Sequence, residues 1–395
     1  MGSITPPASP SYQKLWRETP CIESRALSQV AGCRIFLKLD HLQPSGSFKS
    51  RGIGHLISLA STRTTNPHFY CSSGGNAGLA CATACLTLSH PCTIVVPSTT
   101  MPFMVVKLRA LGATVHQAGR NWKEADNYLR ESVMGRGSHS GEEVYVPPFD
   151  HPDIWEGASS LVPELEMQMK SVGGYDGVVC SVGGGGLLVG IADGLRQAGR
   201  TKQVGILAVE TEGAASLATS LESGKVVTLP GISSIATSLG CVKVADRAYE
   251  VACQEGVQVA VLSDAQAAMG SVRLADLERI MAEAACGVSV AACFDGSLRR
   301  GLGRGCGDEE WAQKKMVVVV CGGSIVSTRL LEEYRAEYEG VVEGELKGQK
   351  DRLVMKMLAV MPVGKGDLET GGFESGVEEI DHGFQWVVRA RGGWN

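Results

Sequence analysis

Short runs rich in β-branched residues alternate with longer stretches of helical character along most of the chain. The runs at residues 34–39, 68–71, 93–96, 113–116, 177–181, 205–209 and 316–320 are predicted to be strands. The last run is apolar on both faces, which is typical of a central parallel strand covered by helices on both sides. Such alternation folds into mainly parallel sheets with right-handed crossovers. The sequence therefore predicts an α/β protein.

Glycine clusters follow three of these predicted strands at their carboxyl ends. They lie at residues 74–78, 183–186 and 322–323 of a chain that has 50 glycines among its 395 residues. In open parallel sheets, ligands bind beyond the carboxyl ends of the strands. The clusters therefore indicate loops that line a ligand site with backbone groups, rather than flexible linkers.

Chain length, net charge and cysteine content argue against several classes of protein and of site. A chain of 395 residues predicts two or three domains. The net charge of −5 argues against a dedicated nucleic-acid binder, and no apolar run reaches the ~20 residues that span a bilayer. The first ten residues lack the apolar core of a signal peptide. The thirteen dispersed cysteines are typical of reduced thiols in the cytoplasm, and Cys81 and Cys85 lack the second ligand pair of a zinc site.

Four consecutive glycines, Gly183 to Gly186, precede a helix predicted to begin near Leu187. Their N–H groups can point into one concavity, and the positive end of the helix adds to it, so the loop can bind a phosphate without a basic side chain. A nucleotide P-loop is excluded because no Gly-Lys-Ser/Thr ending follows. A dinucleotide site with Glu210 as the acidic partner and a tight structural turn both stay open as alternatives.

Lys49 lies in a run of small residues directly after Phe48. Partial burial lowers the pKa of an amine, and a neutral amine can attack a carbonyl carbon. Most lysines are instead solvated charges. The segment 72–78 fits a substrate carboxylate or an ordinary helix cap equally well. Cys321 ends a strand, and its thiol is either a core group or a weak, uncharged partner for a ring nitrogen.

Taken together, these motifs resemble the tryptophan-synthase-β-like family of pyridoxal-phosphate enzymes, and within it the L-serine dehydratases (L-threonine deaminases) of eukaryotes. The resemblance covers about residues 12–330. The motifs that carry it are Ser-Gly-Ser-Phe-Lys49, Ser-Ser-Gly-Gly-Asn76, Ser-Val-Gly-Gly-Gly-Gly186 and Cys321-Gly-Gly-Ser, with connecting segments at residues 93–97, 146–150, 154–157 and 285–287.

The resemblance implies two open, twisted, mostly parallel sheets flanked by helices, with pyridoxal phosphate in the cleft between two domains. The large cofactor-binding domain would comprise residues 1–48 and 150–334. The small domain would comprise residues 49–149 and carry the substrate loop. Residues 335–395 would form a C-terminal appendage of unassigned role. The family also implies a homodimer.

The resemblance also implies a role for each motif residue. Lys49 would carry the cofactor and remove the α-proton, and Ser73 would be a second catalytic residue. The cofactor would be held by Phe48, Lys49, Asn76, Gly183, Gly184, Gly185, Gly186, Leu187 and Cys321. The substrate would be held by Ser72, Ser73, Gly74 and Asn76. A potassium ion would be held by the Glu210 carboxylate and the carbonyl groups of Ala214, Leu239 and Cys241, with a surface carboxylate as the alternative for Glu210.

The implied reaction is elimination of water from L-serine, giving pyruvate and ammonia, and also conversion of L-threonine to 2-oxobutanoate. The thiol of Cys321 in place of a carboxylate favours elimination over transamination. Related mammalian enzymes often have alanine where this chain has Gly74, so we expect more room over the substrate. Alternatives are a β-replacement enzyme of the cysteine-synthase type, a serine racemase that uses Ser73 as its acid, and a non-catalytic ligand sensor.

Overall fold

A computed structural model describes residues 12–135 and 141–360, with side chains described up to residue 344. The predicted strands are all present in it, and β1, β6 and β9 are three further strands that the sequence pattern does not reveal. The strands are β1 Cys21–Ser24, β2 Arg34–Lys38, β3 His68–Cys71, β4 Cys92–Val96, β5 Thr114–Gln117, β6 Glu143–Tyr145, β7 Gly177–Ser181, β8 Gly205–Thr211, β9 Val257–Leu262 and β10 Lys315–Val319.

The strands form two sheets, and the predicted α/β fold class is confirmed. The six-stranded sheet has the order β1-β2-β10-β7-β8-β9 and is parallel except for the antiparallel pair of β1 and β2. The four-stranded sheet has the order β5-β4-β3-β6 and is parallel throughout. Strand β10 lies inside the larger sheet and is buried on both faces, as its apolar sequence predicts.

Helices connect the strands and cover the sheets. They are α1 Arg25–Ala31, α2 Lys49–Arg63, α3 Asn76–Leu88, α4 Pro102–Ala110, α5 Trp122–Tyr128, α6 Pro152–Ser159, α7 Leu161–Gln168, α8 Gly186–Gln197, α9 Ser216–Glu222, α10 Asp246–Ala252, α11 Asp264–Glu278, α12 Ala284–Ala291, α13 Ser297–Leu302, α14 Asp308–Gln313 and α15 Thr328–Val360. Helices α2, α3 and α8 begin at Lys49, Asn76 and Gly186. Three predicted site motifs therefore end at the start of a helix.

The two sheets use separate parts of the chain. All strands of the four-stranded sheet lie within residues 49–149, and all strands of the six-stranded sheet lie within residues 1–48 and 150–334. The boundaries between the two predicted domains stay a prediction. None of the helices in the described part of the chain combines the length and the apolar composition that a membrane span requires.

Residue contacts divide the chain into one unit up to Glu343 and another from Gly344 onward. The predicted start of the appendage at residue 335 falls inside helix α15. Arg335 pairs with Asp276 at 2.7 Å and Val342 is buried, so packing in the first unit continues beyond residue 335. The second unit is described only as the continuation of α15 to Val360, and residues 361–395 of the predicted appendage lie outside the described residues.

Candidate active site

Lys49 is the first residue of α2, and its amine lies in a half-buried position. The Nζ atom donates a hydrogen bond of 2.7 Å to the carbonyl oxygen of Pro148 and lies 5.0 Å from the centre of the Phe48 ring. Burial lowers the pKa of Lys49 to about 8, against a small opposing effect of nearby thiols that include Cys241 and Cys321. A substantial fraction of this amine is therefore neutral just above pH 7, as a nucleophile or a base requires.

The segment before Lys49 lies against the strand end that carries Cys321. The N–H of Phe48 donates to the carbonyl oxygen of Cys321 at 3.0 Å, and Ser47 forms a β-bridge with Gly322. The Cys321 side chain is buried, and its sulfur lies 3.6 Å from the Ser181 hydroxyl. A hydrogen bond with Cys286 and burial raise the pKa of the Cys321 thiol well above its ordinary value, so the thiol is uncharged at neutral pH.

The four-glycine loop joins β7 to α8. Gly185 is the N-cap of α8 with φ at +91°, a backbone conformation that favours glycine. A methyl group at Gly184 would overlap the ring of Phe149, and one at Gly185 would overlap the side chain of Ala248. Trp155 holds Phe149 by donating from Nε1 to its carbonyl oxygen at 3.0 Å. The packing therefore requires glycine at these positions.

The same loop presents a row of backbone donors. Among the described residues, no N–H group from Gly183 to Leu187 has a protein acceptor outside the helix. The first N–H groups of a helix are unpaired within it, and the helix dipole is positive there, so the arrangement favours an anion. Phe149 packs on this loop and follows Pro148, which binds the Lys49 amine. The structure therefore brings the lysine and the anion cradle together.

Asn76 begins α3 and connects three parts of the site. Its Nδ2 donates to Glu283 Oε1 at 2.7 Å and to the Ser238 hydroxyl at 3.3 Å, and its Oδ1 accepts from the N–H of Ser324 at 3.2 Å. Glu283 is 2% exposed, and its Oε2 makes no hydrogen bond among the described residues. Burial raises the pKa of Glu283. Asn76 is thus held in a fixed orientation by residues far from it in sequence.

The two serine hydroxyls of the predicted substrate loop, residues 72–78, differ in their surroundings. The Ser72 hydroxyl is buried and donates to Asp126 Oδ1 at 2.6 Å, so it is not available to a substrate. The Ser73 hydroxyl is half-buried and accepts a bond of 3.3 Å from the N–H of Gly75. The expectation that Gly74 leaves more room over the substrate is wrong. A methyl group there would lie 2.8 Å from the Thr100 side chain, in space that is already filled.

Glu210, at the end of β8, is completely buried, so its interpretation as a surface carboxylate is wrong. Its two oxygens accept N–H bonds from Leu217 at 2.9 Å and Ala218 at 2.7 Å, at the start of α9. Because both oxygens of Glu210 already accept these bonds, Glu210 is poorly placed to accept a hydrogen bond from a ribose hydroxyl. This argues against the dinucleotide alternative. Burial raises the pKa of Glu210 to about 7, although both N–H bonds act to lower it.

The other residues predicted to bind a cation lie in two connections. Ala214 is buried in the turn between β8 and α9. Leu239 packs against Gly183 of the glycine loop, and its carbonyl oxygen accepts from the N–H of Cys241 at 2.6 Å. The Cys241 thiol lies near enough to both Lys49 and Glu210 for each to act on its pKa, which burial raises to about 11. Cys241 is therefore a neighbour of both Lys49 and Glu210.

Comparison with known proteins agrees with this geometry. Residues 12–322 match the family model described as pyridoxal-phosphate dependent enzyme. The chain belongs to this family of pyridoxal-phosphate dependent enzymes. It is 43% identical over 314 residues to a serine dehydratase-like protein of Homo sapiens, covering 80% of this chain and 92% of that protein.

Two further proteins extend the similarity. An L-serine dehydratase/L-threonine deaminase of Bos taurus is 44% identical over 317 residues, covering 80% of this chain and 94% of that protein. A crystal structure of a fungal L-serine ammonia-lyase from Rhizomucor miehei superposes with a TM-score of 0.75 at 34% identity, covering 82% of this chain and 100% of that one. The chain thus spans nearly the full length of each of these proteins.

The residues present fit the cofactor of this pyridoxal-phosphate family. The phosphate requires anion donors, which the unpaired N–H groups from Gly183 to Leu187 supply. The carbonyl carbon requires a neutral amine, which Lys49 would supply. Asn76 already donates both Nδ2 hydrogens, so it would reach a phenolic oxygen only by giving up its longer bond, that to Ser238. When bound, pyridoxal phosphate supplies a reactive carbonyl carbon and a ring that withdraws electrons from the substrate α-carbon.

Two residues of the site were missed by the sequence analysis. Glu283 contacts Asn76, and Phe149 packs on the glycine loop. Both lie in or beside segments that carry the family resemblance, at residues 146–150 and 285–287, but no local pattern assigns either of them a role. A buried carboxylate shows its function only through its partner, and this partner is 207 positions away in the sequence.

Proposed function

We propose that the protein is an L-serine ammonia-lyase that converts L-serine to pyruvate and ammonia, and L-threonine to 2-oxobutanoate and ammonia. The observation that carries this proposal is that the Lys49 amine, bonded to the Pro148 carbonyl at 2.7 Å, lies beside the glycine loop and next to the strand end that carries the buried Cys321 thiol. The human, bovine and fungal relatives bear names from the same reaction class, which supports it.

Lys49 carries the cofactor and removes the α-proton of the substrate. A general base works best when its pKa lies near the working pH, and a pKa of about 8 meets this condition. The hydrogen bond to the Pro148 carbonyl holds the amine beside the glycine loop. N–H groups and hydroxyls of the loop that includes Ser73 and Gly74 hold the substrate carboxylate.

Cys321 directs the reaction towards elimination. A carboxylate at this place would keep a proton on the ring nitrogen and stabilise negative charge on the substrate for longer. The uncharged thiol of Cys321 does not supply that charge. Negative charge at the α-carbon is then relieved by loss of the β-hydroxyl as water, and the product hydrolyses to the 2-oxo acid and ammonia.

A potassium ion bound to Glu210 and to the carbonyl groups of Ala214, Leu239 and Cys241 is part of this proposal. Glu210 is a buried carboxylate without a basic side chain among its hydrogen-bond partners, and a cation would balance its charge. Leu239 contacts Gly183, so a cation held there would support the glycine loop.

We also propose a homodimer in the cytoplasm. The thirteen cysteines are all free thiols, which supports a reducing compartment. The dimer rests on the family resemblance alone. Light scattering of the purified protein measures it, and a monomeric mass at micromolar concentration would overturn it.

The test is incubation of purified protein with pyridoxal phosphate and L-serine, L-threonine or D-serine, each separately. We expect 2-oxo acid and ammonia in equal amounts from both L-amino acids. Appearance of D-serine from L-serine as the main product would indicate a racemase, with Ser73 as the second acid. Serine consumption that depends on added sulfide would indicate β-replacement. No product from any of the three substrates would defeat the proposal.

A further inference from the structure

Three cysteine thiols meet in the core beside the four-stranded sheet. Cys81 and Cys85 lie one turn apart on α3, and Cys92 is the first residue of β4. Their three sulfur atoms all lie within 4.8 Å of one another, and the sulfurs of Cys81 and Cys92 are 3.6 Å apart. The sequence analysis discounted a metal here because Cys81 and Cys85 lacked further ligands, but the fold supplies Cys92 from the neighbouring strand.

The spacing of the sulfurs matches three ligands around one metal ion. A metal–thiolate bond of about 2.3 Å places the sulfurs of a planar, three-coordinate site about 4.0 Å apart. The observed separations, from 3.6 Å to at most 4.8 Å, include this value. Contraction of the longer separations requires only small side-chain movements.

The ligand set is made of sulfur alone, and water has little access to it. The exposed fractions of Cys81, Cys85 and Cys92 are 0%, 1% and 5%. Among the described residues, Cys71 also interacts with Cys81, but only Cys81, Cys85 and Cys92 have sulfurs that all lie within 4.8 Å of one another. Soft thiolate ligands select Cu(I), zinc or Fe–S clusters, and structural zinc almost always takes four ligands, so a set of three sulfurs favours Cu(I). We propose that Cys81, Cys85 and Cys92 form a binding site for one Cu(I) ion.

Binding must release protons, because thiolates and not thiols are the metal ligands. Each of the three thiols loses its proton to the buffer as its bond to copper forms. Copper enters as Cu(I) and stays Cu(I), so no electron is transferred. Pro91, the residue before Cys92, is exposed, so we expect copper to reach the three sulfurs from this side.

The test is an anaerobic titration of the reduced, full-length protein with Cu(I) in competition with a chromophoric Cu(I) chelator. We expect the wild-type chain to retain one equivalent of copper. Loss of one ligand should weaken binding by at least roughly 100-fold, since even changes behind the ligands of metal sites cost 10–100-fold. The variants are Cys92→Ser and Cys85→Ala, each checked for folding by circular dichroism. The control is Cys253→Ser, an exposed cysteine outside the group.

Equal copper binding by the wild type and by both folded ligand variants would overturn the proposal, as would failure of the wild type to compete with the chelator. A parallel titration with Zn(II) tests the choice of metal. Tighter binding of zinc than of copper, lost in Cys92→Ser, would overturn the assignment to Cu(I). Because binding is measured without substrate, the result stands whatever reaction the protein catalyses.

Discussion

At the scale of single residues, the ionisation of Lys49 determines the pH at which the site can bind its cofactor covalently. Burial lowers the pKa of this amine to about 8, and only the neutral form attacks a carbonyl carbon. We predict that the rate of pyridoxal phosphate uptake by cofactor-free protein rises with pH through about 8 and then levels off. Stopped-flow absorbance measures the rate, with N-acetyl-lysine as the reference amine. A rate that keeps rising to about pH 10 would show that Lys49 keeps an ordinary pKa.

Glu283 is predicted to position Asn76 rather than to touch the substrate. Glu283→Ala leaves the Asn76 amide without its shortest hydrogen bond, which costs about 1–3 kcal/mol for a buried group. Cofactor affinity should therefore fall by about 10–100-fold, measured by fluorescence titration. Glu283→Gln should restore most of it, since the side-chain carbonyl still accepts the bond. The exposed Glu255→Ala is the control, and unchanged affinity in Glu283→Ala would contradict this role.

At the scale of elements, helix α2 is fixed by a buried ion network two residues after Lys49. The Arg51 guanidinium is fully buried and bonds to Asp40 at 2.7 Å and to Glu164 at 2.7 Å, while Lys38 bonds to Glu164 at 2.6 Å. Burial acts to raise the pKa of both carboxyl groups, but Arg51 and Lys38, with a Thr19 hydrogen bond to Asp40, together outweigh it, and both pKa values are lowered. The network therefore stabilises the fold at neutral pH and loses this effect as pH falls below about 4.

Removing Arg51 should destabilise the fold more than any surface change on α2. Arg51→Met leaves the buried Asp40 without its basic hydrogen-bond partner and Glu164 with Lys38 alone, and breaking a buried pair in this way costs about 3–5 kcal/mol. Urea denaturation at neutral pH measures the free energy of unfolding. Arg63→Met, at the exposed end of the same helix, is the matched control and should cost less than about 1 kcal/mol. Equal stability of the two variants would show that the network contributes little.

The connection from β8 to α9 carries a prediction about potassium. The pKa of Glu210 is raised to about 7, so the folded protein binds this proton more tightly than the unfolded chain does. Without a cation, the stability contributed by Glu210 is therefore lost as pH rises from about 4.5 to 7. A bound cation stabilises the ionised carboxylate of Glu210 and so restores the stability that is otherwise lost as pH rises.

We therefore expect KCl to raise the melting temperature more at about pH 8 than at about pH 6, relative to tetramethylammonium chloride at equal concentration. Differential scanning fluorimetry measures the shift. Glu210→Gln should abolish the difference between the two salts. A potassium effect of the same size in Glu210→Gln would place the cation elsewhere or exclude it.

Burial accounts for most of the strands that the sequence reveals or hides, whereas β5, an edge strand and largely exposed, was revealed by its β-branched run. Strands β7 and β10 are buried along nearly their whole length, so their continuous apolar runs identify them. The strands that were missed, β1, β6 and β9, are all at the edges of their sheets and half exposed, so their runs are short or mixed. The glycine loop was found because four adjacent glycines are a local signal.

Contacts between distant segments could not be found in the same way. Glu283 and Asn76 are 207 positions apart, and Arg51 and Glu164 are 113 apart. Each pair exists only because the chain folds as it does, and neither residue of a pair reveals its partner. Cys92 was missed as the third cysteine of this group, because only the fold brings the start of β4 beside Cys81 and Cys85 on α3.

At the scale of the whole molecule, the site is assembled from both sheets and their connections. Lys49 and Asn76 belong to the part that carries the four-stranded sheet, whereas the glycine loop, Glu283 and Cys321 belong to the part with the six-stranded sheet. Two hydrogen bonds cross between these parts: Asn76 donates to Glu283, and Asn76 accepts from the N–H of Ser324. The arrangement agrees with a cofactor held between them, and it makes catalysis depend on their packing.

The most direct test of the account compares wild type and Lys49→Ala with L-serine, both supplied with pyridoxal phosphate. Pyruvate and ammonia are assayed in the same samples. The account predicts equal amounts of both products from the wild type and none above background from Lys49→Ala, with circular dichroism showing that both are folded. Turnover by Lys49→Ala at the wild-type rate, or ammonia without pyruvate from the wild type, would contradict it.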